Sequence, residues 1–482
     1  MKNLIIGLSL AVAAVLLAGC AMPRRDYNNN IAVGAYGGAL HIAEKEAAKK
    51  NKDELLWHLQ AGAAASYAGN AEECIRHLDL AEDIFQKNDL KSVFDKGVDN
   101  TSSMLVNDLV YDYNGMGLDR TFCCLYKAID FAVLGKMNSA RMEFNRAAQH
   151  QENWVQERKK DVEASYNKLS KDGEKKAKEK NVSKECSMQK VEGVASDSRF
   201  VNLLKEKTGF DYSACGNLEQ LAAYDYTSIY LAHLCGIFRW LDNDGGRNFL
   251  KDAATLAPQN TLLAEDFKNA DKGRNPDRNV WIYVEDGLCC NRVDLSINFP
   301  TVLLPYVGNY VLAVSMAFPL LVERLPAAEQ YFVETSGGTS QMLFLESIDR
   351  LVRTEYGVFM RTAVPREIMR ILIRTASQAA LGIAADNTRN SSARLILFFS
   401  QLGVGIYGMA VSSSDTRSWE ALPKNVYVQR VPSPADGKLR IKAGNMQTVE
   451  LDVPADCGGI VWLRRPTVYA SPSVKAIFFK GQ

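Results

Sequence analysis

The sequence predicts an α+β protein: a helical N-terminal region, then a β-rich domain with apolar helices inserted in it. Three observations predict this. From residue 34 to residue 275 apolar side chains recur at three and four, and proline is absent between Pro23 and Pro258. From Asn279 the pattern changes to period two, in NVWIYVEDGL, RVDLSINFPTVLL and YVLAVSMAFPLLV. The tail repeats that pattern in NVYVQRV, KLRIKA, QTVELDV and GIVWLRR. Between the two β-rich tracts, Leu343 to Asp386 and Ser392 to Val411 read as apolar helices, the first broken at Pro365.

The first element is not part of the fold. Lys2 supplies a positive charge, residues 4–18 are almost wholly apolar, and Ala18 and Gly19 are small enough for a cleavage site. The apolar run is shorter than the ~20 residues that a spanning helix needs. Leu17-Ala18-Gly19-Cys20 resembles the bacterial lipobox. That resemblance implies a signal peptide over 1–19, removed so that a lipidated Cys20 becomes the first residue. Ala21, in place of an aspartate, points to the outer membrane and to its periplasmic face. Residues 20–33, with PRRDYNNN, then read as a lipidated polar tether. A plain secretory signal and an uncleaved anchor helix are the alternatives.

Composition sets the class. Apolar residues make up 47% and charged residues 23%, the proportions of an ordinary globular protein. A formal net charge of +1 gives no field to draw nucleic acid. Ten cysteines are many for an exported chain, and with Cys20 lipidated an odd nine remain. Most read as small buried apolar residues. Cys186 and Cys215 are the expected disulfide if there is one.

The helical region, 34–275, carries a recurring spacing. Gly62, Cys74, Leu78 and Ala81 stand at the same offsets as Ala128, Ala140, Phe144 and Ala147. Leu234, Gly246, Leu250 and Ala253 form a weaker third copy. Small residues let two antiparallel helices cross closely, and one large residue fills the space below. Gly69 and Gly135 fall at the turns, where a positive φ is cheap for glycine. The pattern resembles the tetratricopeptide repeat, which implies stacked hairpins with a groove for a peptide or a partner helix. A generic alanine-rich bundle is the plain alternative. From Gln156 to Lys190 eleven Lys/Arg stand against seven Asp/Glu, so 155–190 reads as a charged, protruding helix.

In the C-terminal domain, 276–482, strands are expected over 279–325, helices over 341–411 and strands again over 425–465. Along the first strand Val280, Ile282 and Val284 should face one way, and Trp281, Tyr283 and Glu285 the other. The run 392–411 holds Arg394 and Gln401 and reads as a buried helix.

The order of lipobox, helical repeats, the stretch Asn107 to Phe144, the strand Asn279 to Leu288 and DTRSWEALPKNVYVQRV resembles a family of uncharacterised bacterial lipoproteins with tetratricopeptide-like repeats. Its most distinctive piece is Asp415-Thr416-Arg417-Ser418-Trp419. The resemblance implies architecture and location and carries no activity. Cys124 stands where members often have histidine, so no metal or catalytic role follows for it. Asp415 reads as a turn acceptor, Arg417 as its partner and Trp419 as a packing anchor.

Tests for chemistry come back empty. The five histidines, His41, His58, His77, His150 and His233, show no metal-ligand spacing, and neither a GxSxG elbow nor a phosphate loop is present. No catalytic residue, metal or cofactor is expected. The expected function is a periplasmic protein–protein interaction scaffold, held at the outer membrane by lipid and binding another envelope protein through the helical groove. The alternative is a hydrolase-type envelope enzyme with a site assembled in the C-terminal half. A further one is a membrane-inserting or secretion-complex component using 392–411.

Overall fold

A computed structural model describes residues 22–94, 112–180, 186–212, 226–276, 278–298, 315–387, 414–444 and 446–480. The signal segment, Cys20, Cys215 and the run 392–411 lie outside the described residues. The α+β reading holds, with a helical N-terminal region and a sheet-rich C-terminal one.

The described residues begin with helix α1 over 22–33. This corrects the tether expectation. PRRDYNNN is polar, but helical spacing brings Tyr27 and Ile31 onto one face, and both are buried. The Tyr27 hydroxyl donates to the carbonyl of Gln60, 2.8 Å away. Four helices follow: α2 (Tyr36–Ala47), α3 (Glu54–Tyr67), α4 (Ala71–Phe94) and α5 (Gly117–Val133). Then come the long α6 (Met137–Glu179), α7 (Met188–Ala195), α8 (Ser198–Thr208), α9 (Ile229–Leu241), α10 (Arg247–Leu256) and α11 (Thr261–Asp271). Consecutive helices pack as hairpins: α3 on α4, α5 on α6, α9 on α10.

The spacing identified in the sequence lies at these crossings. Gly62, Cys74, Leu78 and Ala81 are enclosed, as are Ala128, Ala140, Phe144 and Ala147. A Cβ on Gly62 would come within 2.4 Å of the Leu78 side chain, which is why glycine stands there. Gly69 and Gly135 take φ of +78° and +72° at the two turns. The third crossing differs by two residues. It is Gly236, not Leu234, that faces Gly246 and Leu250: a Cβ on Gly246 would lie 2.3 Å from the Gly236 carbonyl. Ala140→Leu is expected to overpack its crossing and cost about 1–3 kcal/mol, read as a lower melting midpoint of the full chain.

The charged segment 155–190 does not protrude along its whole length, a second correction. Helix α6 turns Leu169 and Ala177 into a core with Phe200 of α8 and with Met369 of α12 (Ile348–Asn387). A Cβ on Gly173 would sit 2.8 Å from the Met369 methyl. The basic residues occupy the remaining faces, so a charge-rich stretch still carries one apolar stripe. Helix α12 runs unbroken through Pro365, where a break was expected.

The strands are β1 (Asn279–Asp286), β2 (Asn291–Asn298), β3 (Ser315–Val322), β4 (Phe332–Thr335), β5 (Gly338–Gln341) and β6 (Leu343–Ser347). After α12 come β7 (Asn425–Pro432), β8 (Lys438–Lys442), β9 (Val449–Asp452), β10 (Cys457–Arg465) and β11 (Ser473–Lys480). One mixed sheet has the order β11-β10-β1-β7-β6, so strands from both β-rich tracts form it. A four-stranded sheet, β5-β4-β8-β9, and the hairpin β2-β3 stand apart from it. Two expected limits move: strands continue past 325 with β4 and β5 and enter the tract read as helix from 341 with β6, and β11 lies beyond 465.

Strand β1 is the centre of the molecule. Val280, Ile282 and Val284 pack on the four-stranded sheet with Val333, Leu439 and Ile441. Trp281 and Tyr283 face the helices, within the same core as Tyr67, Tyr126, Tyr230 and Ile237. The alternation along β1 therefore separates two packed layers, as the sequence predicted. It also has a larger consequence. One continuous core crosses residue 275, and the inner face of the hairpins is covered by the chain's own sheet.

Candidate functional site

The helix–sheet seam is built around ionisable groups. Glu285 on β1 accepts from the hydroxyls of Tyr230, at 2.8 Å, and Tyr126, at 3.1 Å. Arg464, its register partner on β10, donates to the carbonyls of Glu285, Gly287 and Ala421 at 2.7–3.0 Å. Lys475 on β11 donates to Ser66 and pairs with buried Asp130. Burial raises the Glu285 carboxyl above its ordinary range, an effect that Arg464 and the two phenols only partly offset. A cavity of about 20 Å³ lies among Ser66, Tyr67, Tyr126, Glu285, Trp462, Arg464 and Lys475. It has room for a water molecule and little more. This seam fastens the hairpins to the sheet and leaves no space for a substrate.

His233 belongs to the same layer. Its Nε2 lies 3.0 Å from Asp266 Oδ2 and its Nδ1 2.9 Å from the Tyr283 hydroxyl. Trp281 and Arg430 also donate to Asp266. Sequence spacing showed no partner for this histidine, because Asp266 is on α11 and Tyr283 on β1. All four members from His233 to Trp281 are fully enclosed, so the set acts as a structural tie.

The open site is elsewhere. A cleft of about 500 Å³ is lined by Glu323, Ser347, Asp349, Arg350, Arg353, Thr354 and Lys424. It forms where β6 runs directly into α12 and where Lys424 leads into β7. Backbone bonds fix its floor: Ile348 N donates to Lys424 O at 2.8 Å, and Lys424 N to Asp286 O at 2.9 Å. Lys424 Nζ lies 2.5 Å from Asp349, whose other oxygen accepts from Cys290 N. Arg350 is held by Glu346 at 2.7 Å, and Arg353 pairs with the exposed Glu323. Three cations and three carboxylates thus meet in pairs on rigid elements, beside the positive end of a helix.

Asp415, Arg417 and Trp419 take the roles read from the sequence. Asp415 accepts from Arg417 N at 3.0 Å and holds the guanidinium through both oxygens. Arg417 also reaches Asp53, at 2.9 Å, and lies over the Tyr113 ring. Trp419 is buried against Tyr126. Arg24 and Asn28 of α1 both bond Glu420, so this strap ties the first helix to the sheet.

The stretch before α5 is equally built in. Gly117 leaves no room for a side chain: a Cβ there would lie 2.2 Å from Trp154 and 2.8 Å from Glu355. Glu355 of α12 accepts from Leu118 N and Trp154 Nε1. Asp119 accepts from Tyr113 and Met116 N, and burial outweighs these bonds, raising its carboxyl to about 6. The raised value means that the folded state holds this proton more tightly than the unfolded chain. The group's contribution is therefore full below an unfolded pKa of about 4 and is lost as pH rises through about 6. Asp119→Asn is expected to raise stability by about 1–2 kcal/mol at pH 7.5 and by much less at pH 4.5. Melting midpoints of both chains at the two pH values check it.

Among the described residues, two groups of side chains have metal-binding composition: Glu82, Cys124 and Glu143, and Glu44, Glu73 and His77. The first is already filled. Lys127 lies within 3.1 Å of both glutamates and Arg146 within 2.9 Å of them. Burial and then Glu82 push the Cys124 thiol up, away from the thiolate that a metal needs. In the second, burial and then Arg76 bring His77 down to about 4, so its ring is neutral near pH 7. Cys74, Cys123, Cys235, Cys289, Cys290 and Cys457 are buried thiols without a disulfide, and Cys186 is buried too. Among the described residues no helix is long and apolar enough to cross a membrane.

No family model matches the chain, and no curated protein or solved structure does.

Proposed function

We propose that this chain is a lipid-anchored lipoprotein of the bacterial outer membrane, of the kind with tetratricopeptide-like repeats, and that it works as an interaction scaffold on the periplasmic side. The lipobox ending at Cys20 supports the location. The observation that carries the scaffold reading is the open charged cleft of about 500 Å³, set on the β6–α12 junction of a body with one shared core. Its cations, Arg350, Arg353 and Lys424, suit an acidic or carboxylate-bearing segment of another envelope protein. The inner face of the hairpins, where the sequence placed the binding groove, is covered by β1 and β10. The partner surface is therefore assigned to the cleft. Anchoring the protein in the membrane raises the local concentration of partners and makes a modest site effective.

The test uses the full lipidated chain in its own envelope. A photo-crosslinking residue at position 353 should trap one defined envelope protein, and the same residue at position 438, on β8, should not. Arg350→Glu combined with Lys424→Glu should abolish the crosslink. Equal trapping from both positions, or none from 353, would remove the cleft from the proposal. Cys20→Ser should release the chain from outer-membrane fractions, and a mutant that still sediments in high salt would refute the lipid anchor.

A further inference from the structure

The geometry points to a divalent metal site, of the zinc class, formed by Glu44 of α2 and by Glu73 and His77 of α4. His77 Nε2 lies 3.5 Å from an oxygen of Glu44 and 3.5 Å from an oxygen of Glu73. That is close to the edge of a tetrahedron with metal–ligand bonds of about 2.1 Å, roughly 3.4 Å. All three donor atoms lie within 4.8 Å of one another, so small rotations of two partly exposed glutamates close the set.

The histidine is already in the form that binds metal. Arg76 Nη2, which can only donate, lies 2.8 Å from His77 Nε2. Nε2 therefore carries the lone pair and Nδ1 carries the proton. That proton is donated to His58 Nδ1, 3.0 Å away on α3. A metal-bound imidazole needs the same arrangement, with its second nitrogen held by an outer partner. His77 is buried, with 3% of its side chain exposed, so the ring cannot swing away from the two carboxylates.

Charge makes the present arrangement incomplete. Two carboxylates meet one guanidinium, that of Arg76, whose side chain is half exposed. A divalent ion would neutralise both carboxylates, and Arg76 can leave into solvent without breaking the core. One imidazole and two carboxylates favour zinc or a neighbouring first-row ion over calcium, which takes six to eight oxygens. A fourth position, which Arg76 vacates, would hold water. Bound this way, the ion staples α2 to α4 across α3.

The experiment is calorimetric titration of the full mature chain with Zn²⁺ alone, with Ca²⁺ as the control and melting midpoints taken alongside. One equivalent of Zn²⁺ should bind and raise the midpoint. Glu44→Gln, at a partly exposed position that leaves the core intact, should weaken binding at least tenfold, and His77→Ala should abolish it. Arg76→Ala should tighten it at least tenfold, because a competing cation is removed. The inference is overturned if neither the native chain nor Arg76→Ala binds one equivalent. It is equally overturned if Glu44→Gln binds as tightly as the native chain, or if Ca²⁺ binds as tightly as Zn²⁺. The cleft variants of α12 should bind Zn²⁺ normally, so the scaffold reading and this site fail separately.

Discussion

Arg464→Leu is expected to lower the stability of the full chain by about 3–5 kcal/mol, the usual cost of removing one partner from a buried ion pair. Arg464 is 4% exposed and sits over the Tyr67 ring. Burial works against its charge, but Tyr67, Tyr126 and Glu285 around it more than offset that. The leucine side chain fills part of the space and supplies no donor. The carbonyls of Gly287 and Ala421 then lose the Arg464 hydrogen bond, and the Glu285 carboxylate is left in a low-dielectric seam. Urea midpoints of the native chain and the variant measure the loss. Adding Glu285→Gln to Arg464→Leu should recover part of it, because the uncompensated charge goes. A loss below about 1 kcal/mol would show that the seam is not held by this network.

The helical half on its own is expected not to fold cooperatively. A fragment of residues 22–276 keeps every hairpin crossing but loses β1, β10 and β11. Tyr67, Tyr126, Ile129 and Tyr230, now covered by the sheet, would face water. An exposed aromatic face of this kind leads to loose packing or association. The fragment should keep far-UV helical signal, lose near-UV structure, bind a hydrophobic dye and melt without a sharp transition. A sharp melt, with a midpoint near that of the full chain, would mean that the hairpins form a core independent of the sheet.

Much of the fold is legible because local periodicity is a local property. The two β-rich tracts, the glycines at Gly69 and Gly135, and the small residues Gly62, Ala128 and Ala140 follow from spacing that steric packing demands. The alternation along β1 predicted which residues face which layer. Polar composition misled where an amphipathic stripe was narrow. Tyr27 and Ile31 make PRRDYNNN a helix, and Leu169, Gly173 and Ala177 bury part of a basic helix.

The candidate sites were less legible. Glu73 and His77 stand four apart on one helix, a spacing visible in the sequence, but Glu44 and His58 come from other helices and no linear pattern announces them. The cleft joins residues 347–354 and 424 through the pairing of β7 with β6, and Glu323, which follows β3, through its ion pair with Arg353. By itself the sequence determined the order of helices and strands and the close-packed hairpins, because each depends on periodicity within one element or on spacing within one hairpin of about twenty residues. Only the tertiary structure decided that the sheet seals the hairpin face, that Arg464 meets Glu285, and that the open surface lies at β6–α12. Those outcomes depend on contacts between residues far apart in sequence, whose energy comes from shared burial and charge compensation that no local pattern encodes.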